Sequence, residues 1–85
     1  MDKTMMFNIK EIESAYIHET LLEIYTALKE RGYNPINQLV GYLISGDPGY
    51  ISSYKDARKK ITKLDRVEIL EILVNDYIKN NRWEY

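Results

Sequence analysis

The sequence predicts an all-α protein, a compact domain of four helices joined by short turns. Apolar residues recur at three- and four-residue spacing along most of the chain, which is the periodicity of amphipathic helices. Glycine, proline and asparagine stand where these periodic segments end, as they do at helix caps and turns. The chain has 85 residues, and this length corresponds to one domain.

The first helix is predicted at about residues 15 to 31, with Ser14 as its N-cap and Gly32 as the residue that ends it. Residues 1 to 14 are only weakly patterned, and chain termini are often loose unless tertiary contacts hold them. We therefore expect a mobile N-terminal tail over residues 1 to 14 and a single helical domain over residues 15 to 85. The apolar face of the first helix comprises Ile17, Leu21, Ile24, Tyr25 and Leu28.

A second helix is predicted from Asn34-Pro35 to Ser45-Gly46. Asparagine can cap the free amides, and proline at the first helical position loses no hydrogen bond. Gly41 costs helix stability, and we expect it to allow close approach of a neighbouring backbone. Asp47-Pro48-Gly49 is predicted to form the turn that follows, because proline fixes φ at the second position and glycine tolerates a positive φ at the third. The predicted apolar face comprises Ile36, Leu39, Val40 and Leu43.

Two further helices are predicted in the C-terminal half. The third spans about residues 54 to 63 after a serine cap at 52 or 53, and the fourth spans about 66 to 80 after Asp65. The fourth helix has more apolar residues than one packed face requires, and this surplus favours a second contact surface such as a dimer interface. Its predicted packed face comprises Val67, Leu70, Val74, Tyr77 and Ile78, and the surplus residues are Ile69, Ile72 and Leu73.

Composition excludes several classes of protein. The chain has no cysteine, so it has no disulfide framework and no thiolate metal site, which is consistent with the cytoplasm. No apolar run approaches a membrane span, and the N-terminus lacks the pattern of a secretory signal. A chain this short buries a marginal core, and oligomerisation is a common remedy.

Catalytic and metal-binding patterns are weak. His18 is the only histidine, and no nucleophile is paired with a base that titrates near neutral pH. Glu11 and Glu13 alone are a poor metal set, and phosphate-binding glycine motifs do not occur. We therefore expect a protein without enzymatic activity, cofactor or metal.

A cluster of basic residues marks the segment 54 to 66. Six of the chain's twelve lysines and arginines lie between residues 55 and 66. Such a helix could bind nucleic acid, an anionic partner or a phosphorylated segment, or it could be a solvated face partly paired with the chain's own acids. The sequence pI of about 5.8 does not favour nucleic acid. The predicted basic patch comprises Lys55, Arg58, Lys59, Lys63 and Arg66.

Polar and aromatic residues gather on the second helix and its exit. Folding alone accounts for the cap at Asn34 and the turn at Asp47. A weaker alternative is a small-ligand or enzyme site formed by Asn34, Asn37, Gln38 and Asp47. Our prediction is instead a partner or dimer surface that comprises Asn37, Gln38, Tyr42 and Tyr50.

Three long motifs give the chain a resemblance. They are DKTMMFN at residues 2 to 8, RGYNPINQLVGYLISGDPGYI at 31 to 51 and KDAR at 55 to 58. On these motifs the chain resembles the IreB family of small regulatory phosphoproteins of Gram-positive bacteria. The resemblance implies a helical homodimer in the cytoplasm and carries the family's phosphorylated threonine onto Thr4, in a T-x-x-F element with Phe7.

The same resemblance implies partners and a role. It implies phosphorylation by a transmembrane Ser/Thr kinase with extracellular PASTA repeats, reversal by a cognate phosphatase, and contact with a downstream protein. The implied function is negative regulation in cell-envelope stress and cephalosporin resistance. The alternative left by the residues themselves is a nucleic-acid-binding regulator that uses the basic helix at 54 to 66.

Overall fold

A computed structural model describes the backbone of residues 3 to 83 and the side chains of residues 11 to 83. Between residues 3 and 83 the chain forms helices and 3-10 turns and no β-strand, which confirms the all-α class. The two 3-10 turns span Pro48–Tyr50 and Tyr54–Asp56. The four helices are α1 (Lys3–Glu30), α2 (Pro35–Ser45), α3 (Ala57–Thr62) and α4 (Arg66–Asn80).

Helix α1 is longer than predicted at its N-terminal end. It begins at Lys3, so the predicted start near residue 15 is wrong, and Ser14 lies inside the helix and does not cap it. No glycine or proline interrupts the segment, and so no residue forces the helix to start later. Its C-terminal end is as predicted, because Gly32 adopts a φ of 85°. Mobility of residues 1 to 14 stays a prediction.

Both ends of α2 are formed as the sequence predicts. The Asn34 side chain accepts a hydrogen bond from the Asn37 N–H over 3.1 Å, and Pro35 follows as the first helical residue. At the other end, Gly46 adopts a left-handed φ of 75°, and its N–H donates to the Tyr42 carbonyl. Only glycine adopts such a conformation without a steric cost.

The connection from α2 to α3 differs from the prediction in two places. Asp47 accepts from the Gly49 N–H over 2.8 Å, so the predicted turn forms. The positive-φ glycines of the described chain are Gly32 and Gly46, and Gly49 therefore does not adopt the positive φ that glycine tolerates at this position. Instead, Lys55 and Asp56 adopt φ values of 49° and 61°. These left-handed residues interrupt the predicted third helix, and α3 therefore begins at Ala57.

The core forms where α1, α2 and α3 meet. Ile51, in the connection between α2 and α3, is fully buried and fills this junction. The half-buried Leu21, Leu39, Leu43 and Ile72 pack around the core. The buried core residues are Ile17, Ile24, Leu28, Tyr42, Ile51, Ala57, Ile61, Leu64 and Ile69.

The outer faces of α2 and α4 correct the prediction of which apolar residues pack. Ile36 and Val40 were assigned to the packed face of α2, but they are 68% and 46% exposed. On α4, two of the residues predicted as surplus to the packed face contribute to the packing, because Ile69 is buried and Ile72 is half-buried. The predicted packed face of α4 is instead largely exposed, at Val67, Leu70, Val74 and Tyr77.

Gly41 has a close neighbour, although not the backbone that we expected. A Cβ atom at this position would lie 2.5 Å from the Cδ1 atom of Tyr50. The absent side chain therefore leaves room for the Tyr50 ring on the surface of α2.

Candidate functional site

Thr4, the predicted phosphorylation site, lies in the first turn of α1 by its backbone position. The side chains of α1 from Glu11 to Tyr16 are all exposed, and Ile17 is the first core residue among the described side chains of the helix. Residues 11 to 16 therefore lie outside the core. The side chain of Thr4 is outside the described residues.

Lys55, the first residue of the basic patch, belongs to a polar cluster with the end of α1. Its ammonium group donates to both carboxylate oxygens of Glu30 over 2.9 Å, and the Tyr54 hydroxyl donates to the same carboxylate over 2.9 Å. The hydrogen bonds from Lys55 and then from Tyr54 lower the pKa of Glu30 from its ordinary value. The carboxylate in turn raises the pKa of Lys55.

Two arginines of the patch are bound to backbone carbonyls. Arg58 Nε donates to the Ile51 carbonyl over 2.7 Å, and Arg66 Nη1 donates to the Leu43 carbonyl over 3.0 Å. Arg66 thereby satisfies a carbonyl at the C-terminal end of α2, where helices leave such groups unpaired. These two arginines hold the fold together, and their guanidinium groups are partly committed to it.

The basic patch is therefore not a uniform positive face. Lys55 is paired with Glu30, and the neighbouring Lys60 is paired with Glu23 over 3.1 Å. Lys59 and Lys63 are exposed and form no ion pair with the side chains described between residues 11 and 83. This arrangement agrees with the interpretation of the segment as a solvated face that is partly paired with the chain's own acids. It weakens the interpretation of the segment as a nucleic-acid-binding helix.

Part of the patch borders a surface cavity. This cavity has a volume of about 350 Å³ and lies between the two 3-10 turns and α3. The sequence singled out two of its lining residues, Arg58 and Lys59, but it missed Asp56 as a lining residue because left-handed backbone at non-glycine residues has no clear sequence signal. The residues that line the cavity are Pro48, Ser53, Asp56, Arg58, Lys59 and Thr62.

The four residues predicted as a partner or dimer surface do not share one role. Tyr42 is 6% exposed and belongs to the core, so its ring packs inside the fold and does not form surface. The Gln38 side chain accepts from the Ser52 N–H over 2.9 Å and is half-buried. Asn37 and Tyr50 are exposed, and their contact role stays a prediction. Caps and a buried side chain thus explain most of the polar groups on this helix.

An apolar stripe on α4 is exposed to solvent. Val67, Leu70, Val74 and Tyr77, here called the α4 stripe, are between 43% and 60% exposed. Their spacing of three, four and three residues is that of the contact seam of paired helices. The stripe borders a cleft of about 740 Å³ between α1 and α4. Large exposed apolar patches on soluble proteins mark interaction sites.

Other properties of the described chain bear on its class. Between residues 3 and 83, no helix is both long enough and apolar enough to cross a membrane. Within the described side chains, no group of three His, Cys, Asp or Glu residues is arranged to hold a metal ion. His18 is an exposed residue of α1.

The fold and these surfaces define a small all-α protein with exposed apolar and basic side chains. A family model described as "IreB regulatory phosphoprotein" matches residues 2–79, nearly the whole chain. The chain belongs to the IreB family of regulatory phosphoproteins, which confirms the resemblance seen in its sequence motifs.

Proposed function

We propose that this chain is a non-enzymatic, cytoplasmic signalling protein that a transmembrane Ser/Thr kinase with extracellular PASTA repeats phosphorylates at Thr4. A cognate phosphatase reverses the reaction. The observation that carries the proposal is the family match, which includes Thr4 within residues 2–79. The family is described as one of regulatory phosphoproteins, and Thr4 stands in its T-x-x-F element.

The location of Thr4 on the fold supports this assignment. The threonine lies in the first turn of α1 by its backbone position. A phosphate there adds roughly −1.5 to −2 charges at the N-terminal end of the helix. A kinase therefore gains access to this residue by opening only the N-terminal turns of α1, while the packed part of the helix stays intact.

The test of phosphorylation is a kinase assay with mass-spectrometric mapping. Incubation with ATP and the cytoplasmic domain of a PASTA-type kinase should place phosphate on Thr4, and a Thr4→Ala chain should stay unmodified. The cognate phosphatase should then remove the phosphate. Phosphate on other residues only, with a kinase that modifies a control substrate, would contradict the proposal.

The proposed output is negative regulation of the response to cell-envelope stress and cephalosporins, through a downstream protein. A strain that carries only the Thr4→Ala chain should differ in cephalosporin susceptibility from a strain with the unaltered chain. Thr4→Glu should shift susceptibility in the opposite direction, because it carries part of the charge of the phosphate. Equal susceptibility of all three strains at equal protein levels would argue against this output.

The active form is proposed to be a homodimer that pairs through the α4 stripe. Burial of exposed Leu70 and Val74 would remove apolar surface from water, at about 25 cal/mol per Å². Sedimentation equilibrium should give a dimer for the unaltered chain and a monomer for Leu70→Glu. Ile44→Glu is the matched control, because Ile44 is a 79% exposed apolar residue on α2. Loss of the dimer in the control alone would place the interface on α2.

A further inference from the structure

We propose that the cavity between the two 3-10 turns and α3 binds a phosphomonoester, and that its ligand is phosphothreonine 4 of another copy of this chain. The proposal rests on the proposed phosphorylation of Thr4. It assigns the phosphate a binding site on the fold.

The cationic groups of the cavity suit a phosphate dianion. Arg58 lines the cavity, and the hydrogen bond from its Nε atom to the Ile51 carbonyl, 2.7 Å long, restricts the guanidinium to one orientation. That bond uses Nε and leaves the terminal guanidinium nitrogens as donors. Lys59 lines the same cavity and adds a second cation. Such a pair is the usual recognition chemistry of phosphate groups.

Polar and apolar neighbours complete the cavity and limit its ligands. The exposed Ser53 hydroxyl can donate to a phosphate oxygen, and the half-buried ring of Pro48 provides an apolar wall. Asp56 also lines the cavity, and its carboxylate weakens the binding of any anion. The net positive charge is therefore small, and selectivity for a phosphomonoester over a carboxylate rests on the several donors of Arg58, Lys59 and Ser53, which match three phosphate oxygens.

A strained backbone borders the cavity. Lys55 and Asp56 are consecutive non-glycine residues in the left-handed region, with φ values of 49° and 61°. Such conformations persist only where the surrounding structure holds them, and they concentrate at functional sites. Here the two hydrogen bonds from Lys55 to the Glu30 carboxylate, each 2.9 Å long, hold the turn in place. This turn places Asp56 at the edge of the cavity.

Geometry excludes Thr4 of the same chain as the ligand while α1 is intact. Helix α3 packs beside the C-terminal half of α1, where Lys60 contacts Glu23 over 3.1 Å. Thr4 and Glu23 lie on the same helix, and a rise of 1.5 Å per residue separates them by about 28 Å. This distance exceeds the reach of a phosphothreonine and a lysine side chain together. With α1 intact, the phosphate that reaches the cavity therefore comes from another copy.

The test uses nuclear magnetic resonance on the full chain. A ¹⁵N-labelled Thr4→Ala chain is mixed with an unlabelled chain that carries genetically incorporated phosphothreonine at position 4. Amide shifts in the labelled chain at the cavity residues Ser53, Asp56 and Lys59, and their absence with the unphosphorylated chain, are expected. No shift at these residues overturns the proposal.

Two further ligands separate the possible sources of the phosphate. Inorganic phosphate and an unrelated phosphothreonine peptide should each bind the cavity at least about fivefold more weakly than the phosphorylated chain, because they lack the segment around Thr4. Equal binding of either ligand overturns the assignment to this chain's own threonine. Because the phosphothreonine is incorporated without a kinase, failure of this test is distinct from failure of the kinase assay.

Variants of the cavity give opposite expected effects. Lys59→Gln should weaken binding about two- to fivefold, and Asp56→Asn should strengthen it by a similar factor. Asparagine tolerates the left-handed backbone at position 56, so this variant keeps the fold. Lys63→Gln is the matched control, because Lys63 is an exposed lysine at the end of α3 outside the cavity. Weakening by Lys63→Gln equal to that by Lys59→Gln, or no strengthening by Asp56→Asn, overturns the proposal.

Discussion

Replacement of Gly46 by alanine tests how α4 is anchored to α2. Gly46 has a φ of 75°, and a Cβ atom there would lie 2.8 Å from the Nη2 atom of Arg66. The left-handed conformation costs alanine about 1 kcal/mol. Displacement of the guanidinium weakens its 3.0 Å bond to the Leu43 carbonyl, and complete loss of this bond would cost about a further 1–2 kcal/mol. The expected loss in the free energy of unfolding is therefore more than about 1 kcal/mol and at most about 3 kcal/mol.

Gly32 supplies a matched control for the same experiment. Its φ of 85° imposes the same backbone strain on alanine, but no atom lies within 4 Å of the added Cβ. Gly32→Ala should therefore cost only about 1 kcal/mol. Urea unfolding followed by circular dichroism, at one protein concentration, measures both variants.

A double-mutant cycle isolates the contact with Arg66. In an Arg66→Gln background, Gly46→Ala should cost about 1 kcal/mol, since only the backbone strain remains. The reasoning is refuted if Gly46→Ala and Gly32→Ala cost the same amount in the unaltered chain. It is also refuted if the effects of Gly46→Ala and Arg66→Gln add without coupling.

Two further predictions concern polar contacts that hold the loops. Because the pKa of Glu30 is lowered, its ionised carboxylate stabilises the fold at pH values above the ordinary pKa of a glutamate. This contribution should be lost as the pH falls through the lowered pKa. The raised pKa of Lys55 stabilises the fold below the ordinary lysine pKa and should be lost as pH rises through the raised value. Gln38→Ala removes the acceptor of the half-buried Ser52 N–H and should cost about 1–2 kcal/mol, whereas Asn37→Ala, at an exposed side chain, should cost less than about 0.5 kcal/mol.

Each of these predictions has a clear contrary result. In a Glu30→Gln chain, the free energy of unfolding should no longer show either of these two changes with pH. A pH profile equal to that of the unaltered chain would show that the pair of Lys55 and Glu30 is not their cause. Urea unfolding measures the two amide variants. Equal costs for Gln38→Ala and Asn37→Ala would contradict the structural role of Gln38.

The helix ends of the second helix were predictable because their causes are local. Asn34, Pro35 and Gly46 act within a few residues of themselves, through a side-chain cap, a fixed φ and a left-handed φ. The start of α1 was not predictable in the same way. Residues 3 to 14 show no clear apolar periodicity, and helix continuation there depends on the sum of small propensities.

The candidate site was only partly predictable. Sequence spacing identified Arg58 and Lys59 as basic residues of one segment, and the family motifs identified Thr4. The sequence could not reveal that Lys55 is paired with Glu30 or that Arg66 binds a carbonyl of α2, because these partners lie on other elements of the fold. Ionic partners distant in sequence meet only after the helices pack.

By itself, the sequence determined the helical class, both ends of α2, the extent of α4 and the family, because periodicity, caps and motifs are local properties. Tertiary structure alone decided which face of α4 is buried. Ile69 packs into the core while Leu70 and Val74 remain exposed, although both faces are apolar enough to be buried. The hydrophobic effect is non-directional and favours burial of any apolar face. Which face of α4 is buried therefore depends on the surface that the rest of the chain offers to the helix.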